Sequence, residues 1–235
     1  MNLTIDIGNT AAKWAAFEGR TLVDHATGMP GDALVAGAGR VMVCASGEAE
    51  KEIGRIASLN PQLTALHSDT PLPLRLDYKT PQSLGPDRIA AACGAWSLHP
   101  GEASVVVDAG TCITVDFVGA DGVYHGGAIM PGLGMQLRAL HEQTARLPLV
   151  SLEGVDHAPV LGRSTEESIL AGTLGATMLA LAGYVALYRE RCKSLRVMLT
   201  GGDAHHLATS AGWELQPRLT MIGMNEILLF AQDYE

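Results

Sequence analysis

Two Asp-x-Gly turns constrain this chain more than any other feature. Asp6-Ile7-Gly8-Asn9-Thr10 closes an alternating polar and apolar run that begins at Asn2, and Asp108-Ala109-Gly110-Thr111 closes a β-branched run over 104–107. Such runs read as strands, and an Asp-x-Gly step reads as a tight turn leaving one. The two aspartates, at positions 6 and 108, stand 102 residues apart. Each is followed by more extended sequence and a glycine-centred hairpin turn, at Glu18-Gly19-Arg20 and at Asp121-Gly122. A unit of strand, Asp-x-Gly and hairpin that occurs twice predicts a duplicated domain, and about 100 residues per copy is an ordinary domain size. The predicted division is an N-terminal half over 1–102 and a C-terminal half over 103–235.

The remaining segments alternate between strand and helix patterns. A short buried strand is predicted over 41–44, helices over 48–58 and 87–98, and a second extended segment over 113–118. Gly126-Gly127-Ala128-Ile129-Met130-Pro131-Gly132 reads as a glycine-rich loop, with a helix over 133–144 after it. A long helical region is expected over 165–191, then a strand over 195–199 that ends at Thr200-Gly201-Gly202-Asp203 and leads into a further helix.

Charge and cysteine usage narrow the function classes. The formal net charge is −9, and an acidic surface repels nucleic-acid backbones and anionic membranes. The four cysteines, Cys44, Cys93, Cys112 and Cys192, form no CxxC pair and read as reduced, mostly buried thiols. Met1–Thr10 has no secretory pattern, so a cytoplasmic protein is expected. The run over 169–188 carries no charge and is long enough to be tested as a membrane span. Its many alanines and its glycines at 172, 175 and 183 favour a buried, closely packed helix at a subunit interface instead.

The two turns suit phosphoryl transfer, which needs positioning and charge neutralisation more than covalent chemistry. No GxxxxGK[ST] or GxGxxG sequence is present, which disfavours the P-loop and dinucleotide folds. Asp6 is a candidate Mg²⁺ ligand. Gly8, Asn9 and Thr10 are placed to wrap phosphates, since glycine lets phosphate oxygens approach backbone N–H groups. Lys13 is placed to reach the same phosphates. Asp108, Gly110 and Thr111 are expected to close over the nucleotide from the other half. The histidines at 125, 141, 205 and 206 show no ligand spacing, and the nine methionines read as core filler.

The chain resembles the type III pantothenate kinases of the acetate and sugar kinase, Hsp70 and actin superfamily. The resemblance runs almost end to end. It is carried by Asp6 to Thr10, Tyr78 with Pro81, Leu84-Gly85-Pro86-Asp87-Arg88, Asp108 to Thr111, Gly126 to Gly132, Thr165-Glu166-Glu167-Ser168 and Thr200 to Asp203. The fold it implies is α/β: two actin-like, ribonuclease H-like domains, each a mixed sheet flanked by helices, with a nucleotide cleft between them. The activity it implies is phosphorylation of pantothenate to 4′-phosphopantothenate by ATP, the first step of coenzyme A biosynthesis.

By resemblance Asp87 is the general base. Tyr78, Gly85, Pro86, Asp87, Arg88 and Thr165 line the pantothenate site, and Asp6, Ile7, Gly8, Asn9, Thr10, Lys13 and Thr111 form the ATP side. Asp108 matches a monovalent-cation ligand for K⁺ or NH₄⁺. The family's homodimer makes the C-terminal half the carrier of a dimerisation helix. Cys112 departs from the family's small residue and is expected near ATP. Two other readings fit less of the sequence. A superfamily kinase for another small hydroxyl substrate has no reason to carry the Tyr78–Arg88 block. A non-enzymatic regulator has no reason to keep Asp6, Asp87 and Asp108.

Overall fold

The computed structural model describes residues 1–46, 49–208 and 212–232. In chain order the elements are β1 (Asn2–Ile7), β2 (Ala12–Glu18), β3 (Thr21–Thr27), α1 (Asp32–Gly37), β4 (Arg40–Ala45), α2 (Glu50–Leu59), β5 (Leu63–Ala65), β6 (Arg75–Leu76) and α3 (Pro86–Leu98). They continue with β7 (Ala103–Ala109), β8 (Cys112–Val118), β9 (Val123–Pro131), α4 (Leu133–Glu142), α5 (Thr165–Leu170), a π-helical turn (Ala171–Gly175) and α6 (Ala176–Arg189). The chain closes with β10 (Leu195–Thr200), α7 (Ala204–Leu207), β11 (Glu214–Leu215) and α8 (Leu219–Gln232).

The first unit comprises Met1–Gly101, Ala120–His125 and Arg218–Glu235. Its sheet has the order β3-β2-β1-β4-β5. β1 pairs antiparallel with β2 and parallel with β4. Alternation along β1 sends Leu3, Ile5 and Ile7 into one apolar cluster with Val35 and Ile56. Asn2, Thr4 and Asp6 occupy the other face, where the Asn2 amide donates to Asn225 Oδ1 of α8 at 2.9 Å.

α8 packs on α3 at very short range. A methyl group on Gly223 would fall on the Ala90 carbonyl oxygen, inside any tolerable contact, so only glycine fits there. Gly223→Ala is therefore expected to cost about 1–3 kcal/mol, the usual penalty for overpacking. A lowered urea midpoint with an unchanged slope would verify it, and an unchanged midpoint would contradict this packing.

The second unit comprises Glu102–Gly119 and Gly126–Pro217. Within it the strand order is β9-β8-β7-β10-β11. That is the β3-β2-β1-β4-β5 order of the first unit with each strand replaced by its counterpart. β7 pairs antiparallel with β8 and parallel with β10, as β1 does with β2 and β4. Asp6 and Asp108 are each the penultimate residue of the central strand of their sheet. The duplication is thus present in topology, as mixed sheets flanked by helices in an actin-like α/β fold. The core of this unit gathers Val105, Val107, Ile113, Val115, Leu174 and Leu181.

The structure differs from several expectations. A single cut after residue 102 does not describe the units, because the β8–β9 turn and α8 both fall in the first. The physical reason is the packing of α8 on α3 and β1. The glycine-rich segment ends a strand, β9, instead of forming a loop. The first strand position of β9 and the next belong to the first unit, where Val123 and Tyr124 pair parallel with β6. The helix expected from position 48 starts at Glu50, and position 48 lies outside the described residues. Only Cys44 and Cys93 are buried, while Cys112 is exposed.

The apolar helix, expected to be closely packed at a subunit interface, is covered on only one side by its own chain. Over Thr165–Arg189 it is long and apolar enough to cross a membrane, yet only 33% of its most apolar window is covered. Ile169, Leu174, Leu181 and Val185 face the core, whereas Leu179 is 77% exposed and Leu187 is 59% exposed.

Candidate functional site

In the first unit the end of β1 and the start of α3 build one acidic, partly buried centre. Asp6 lies on the β1 face that α8 packs against, and its direct antiparallel partner is Lys13 of β2. Burial first, and the nearby Asp87 charge second, push the Asp6 carboxyl up to about 6 against the opposing effect of Lys13. Beyond Asp6 the chain turns at once, with the Gly8 N–H donating to the Ala11 carbonyl at 3.2 Å. Asn9 and Thr10 at the tip of this turn are exposed, and Ile7 is buried beneath it.

Asp87 stands in the first turn of α3, whose N-cap is Gly85 and whose first residue is Pro86. Proline there loses no hydrogen bond and sets the backbone for the helix. The Arg88 N–H donates to Asp87 Oδ1 at 2.9 Å, which fixes the carboxylate. A side chain on Gly85 would collide with that same Oδ1, so glycine at this position keeps the Asp87 carboxylate where it is.

Arg88, next to Asp87 in the chain, brings Tyr78 close to the start of α3. The Arg88 side chain is buried, with its guanidinium 5.9 Å from the Tyr78 ring centre. Tyr78 also lies 6.0 Å from the Tyr124 ring. The segment carrying Tyr78 is anchored just before it, by the Asp77 N–H donating to the Tyr124 carbonyl at 2.9 Å. Asp77 further pairs with the His125 ring at 3.3 Å, a contact that no sequence spacing announced. A cleft of about 610 Å³ opens in the same unit, lined by Val43, Ala45, Leu66, Asp69, Leu84 and Pro86. That volume falls in the range of small-molecule sites.

The second unit holds the other candidates. Asp108 is opposite Thr114 in β8 and opposite Thr200 in β10. Thr111 sits in the turn between β7 and β8, where the Gly132 N–H donates to its carbonyl at 3.1 Å. A methyl group on Gly132 would collide with the carbonyls of Gly110 and Thr111, so the end of β9 can close on this turn only through glycine. Thr165 opens α5 directly after its cap, where Ser164 Oγ accepts from the Glu167 N–H at 3.1 Å. Glu167 in turn accepts from the Arg163 N–H, which secures the corner that presents Thr165.

Each unit thus gathers its own part of the sequence-predicted set. Asp6, Ile7, Gly8, Asn9, Thr10, Lys13, Tyr78, Gly85, Pro86, Asp87 and Arg88 belong to the first, and Asp108, Thr111 and Thr165 to the second. No sequence spacing announces the electrostatic coupling of Asp6 to Asp87. The signal available for it is the alternation of β1, which puts Asp6 on the face that α8 packs against. Among the described residues no three His, Cys, Asp or Glu side chains converge as a metal site. A buried carboxylate whose charge is raised in energy by a second one suits a divalent ion that brings most of its own oxygen ligands.

Comparison with known proteins places the chain in a family. The sequence pattern of the type III pantothenate kinase family matches residues 36–187. A type III pantothenate kinase of Bacteroides fragilis is 42% identical over 217 residues, covering 86% of each chain. One from Phocaeicola vulgatus is 37% identical over 243 residues, covering 98% of each. Among solved structures, a conserved protein of Campylobacter jejuni assigned to the Baf family of transcriptional activators superposes with a TM-score of 0.67 at 22% identity, over 98% of this chain and 99% of that one. A ROK hexokinase of Thermus thermophilus does so with a TM-score of 0.51 at 13% identity, over 98% and 99%. Both structural likenesses speak for the fold, while the sequence match over most of the chain speaks for the family. The chain belongs to the type III pantothenate kinase family.

Proposed function

We propose that this chain transfers the γ-phosphoryl group of ATP to the primary hydroxyl of pantothenate, giving 4′-phosphopantothenate and ADP. The observation that carries the reading is the Asp87 carboxylate, fixed by the Arg88 N–H beside Tyr78 and electrostatically coupled to Asp6, in a chain of this family. Asp87 orients the hydroxyl and accepts its proton as the new P–O bond forms and the bond to ADP breaks. The transition state is loose, so proton acceptance comes late and orientation matters most. Tyr78, Gly85, Pro86 and Arg88 hold pantothenate, with Arg88 offering charge to its carboxylate, and Thr165 of the second unit also serves pantothenate. The cleft beside Pro86 gives apolar parts of the substrate a recess.

Asp6, Ile7, Gly8, Asn9, Thr10, Lys13 and Thr111 serve the nucleotide. Mg²⁺ bound with ATP at Asp6 supplies charge neutralisation for the phosphate oxygens. Asp108 holds a monovalent cation, K⁺ or NH₄⁺, adding charge that the single Lys13 does not provide. A direct test is the mass of pantothenate after incubation with ATP and Mg²⁺, in K⁺ and in Na⁺. A gain of one phosphoryl group that is faster in K⁺ supports both assignments. An unchanged mass in either salt rejects the substrate.

The exposed stripe with Leu179 and Leu187 is the surface on which a second copy packs, which makes the functional species a homodimer. Leu179→Asp is accordingly expected to convert the dimer seen by sedimentation equilibrium into a monomer. A variant that still sediments as the wild type would remove this face from the interface.

A further inference from the structure

Three hydrogen bonds in the second unit converge on the Pro131–Gly132 step, and two of them come from one residue. The Gln136 side-chain amide donates to the Pro131 carbonyl at 2.9 Å. The Gln136 backbone N–H donates to the Gly132 carbonyl at 3.0 Å, and the Gly132 N–H donates to the Thr111 carbonyl at 3.1 Å. Gln136 thus fixes both carbonyls of the dipeptide on which the Thr111 turn rests. The second hydrogen of the same amide nitrogen goes to Thr177 Oγ1 at 3.1 Å. A carbonyl oxygen can only accept, so the nitrogen must face Pro131, and the Thr177 hydroxyl then accepts the remaining hydrogen.

Thr177 itself is only 5% exposed. It is the second residue of α6, directly after the π-helical turn. A π-turn adds one residue to a helical turn and so rotates everything that follows about the helix axis. The turn therefore decides which side of α6 meets Gln136, and it brings a hydroxyl there instead of an apolar neighbour. The same rotation sets the direction of Leu179 and Leu187.

We propose that Gln136 is a positioning residue for nucleotide binding, which ties the Thr111 turn to α6 through Thr177. It touches neither substrate and acts through the Pro131–Gly132 step. Loss of either end of the clasp loosens the hold on the Pro131 carbonyl, and with it the step that seats Gly132 under Thr111, so the cost falls on ATP and not on pantothenate. The inference rests on the assignment of Thr111 to the ATP side.

The test is the Kd of MgATP measured by calorimetry on the full chain without pantothenate. A chain that binds MgATP but fails to phosphorylate pantothenate would refute the proposed function and leave this inference standing. Gln136→Leu and Thr177→Val are each expected to weaken MgATP binding by about 5- to 10-fold. The double variant should be no weaker than either single one, because both break the same contact. Thr177→Ser keeps the acceptor and should bind as the wild type does, and KM for pantothenate should stay unchanged throughout. An unchanged Kd in both single variants, additive losses in the double variant, or an equal loss in Thr177→Ser would overturn the proposal.

Discussion

Asp87→Asn is expected to lower turnover by about 10²–10⁴-fold, the range supplied by a positioned general base, while leaving the fold intact. Asparagine keeps the volume and one acceptor oxygen, so the bond from the Arg88 N–H survives. The opening turn of α3 therefore has no reason to rearrange. What disappears is the capacity to accept a proton from the substrate hydroxyl. The matching readouts are single-turnover rates, MgATP affinity and the thermal midpoint, with only the first changing strongly. Turnover above a tenth of the wild-type value would remove Asp87 from the proton transfer. The substitution has an electrostatic side effect as well. It deletes the charge that helps raise the Asp6 carboxyl, so Asp6 should titrate at a lower pH in this variant.

Asp6→Asn should separate stability from activity. The Asp6 carboxyl titrates near 6 in the folded chain against an ordinary 3.8, with burial as the largest cause and Asp87 next. A folded-state value above the unfolded one means that stability from this group is fully present below pH 3.8 and is lost as pH rises through about 6. At pH 7 the ionised carboxylate then costs the ligand-free fold about 3 kcal/mol, at 1.36 kcal/mol per unit. Asp6→Asn removes that cost and should raise the thermal midpoint at pH 7–8 but not near pH 4. Activity should fall by on the order of 10²-fold, because asparagine is a poorer partner for a cation. In the wild type, MgATP binding should weaken as pH drops below about 6, since the protonated carboxyl no longer attracts the ion. Equal midpoints for wild type and variant at pH 7 would show that the buried charge is not a source of strain.

The sequence carried the local parts of this structure and lost those set by packing. Alternation in β1 and the β-branched run of β7 announced both central strands, and the Asp-x-Gly turns announced where they end. The strand order, identical in the two units, follows from the repeat that those turns revealed. Glycine is depleted in strands, so the sequence predicts a loop where β9 runs. Here neighbouring β8 and the close approach to Gly110 and Thr111 demand glycine instead. The sequence predicts a helix after Asp203 but not the bounds of α8, because an apolar stretch without amphipathic period is ambiguous alone. Its place in the first unit depends on Gly223 lying over Ala90, a contact between residues far apart in the chain. The same holds in the site. Asp87 and Arg88 stood out as a block, whereas the coupling of Asp87 to Asp6 and the bonds of Gln136 to Pro131 and Thr177 are products of tertiary structure.

The central claim is that this chain phosphorylates pantothenate. Its most direct test is ADP release from MgATP in K⁺ buffer, followed with and without pantothenate and compared with the Asp87→Asn variant. The account predicts release that rises with pantothenate, saturates, and falls by about 10²-fold or more in the variant. Release that ignores pantothenate, or that persists unchanged in Asp87→Asn, would contradict it.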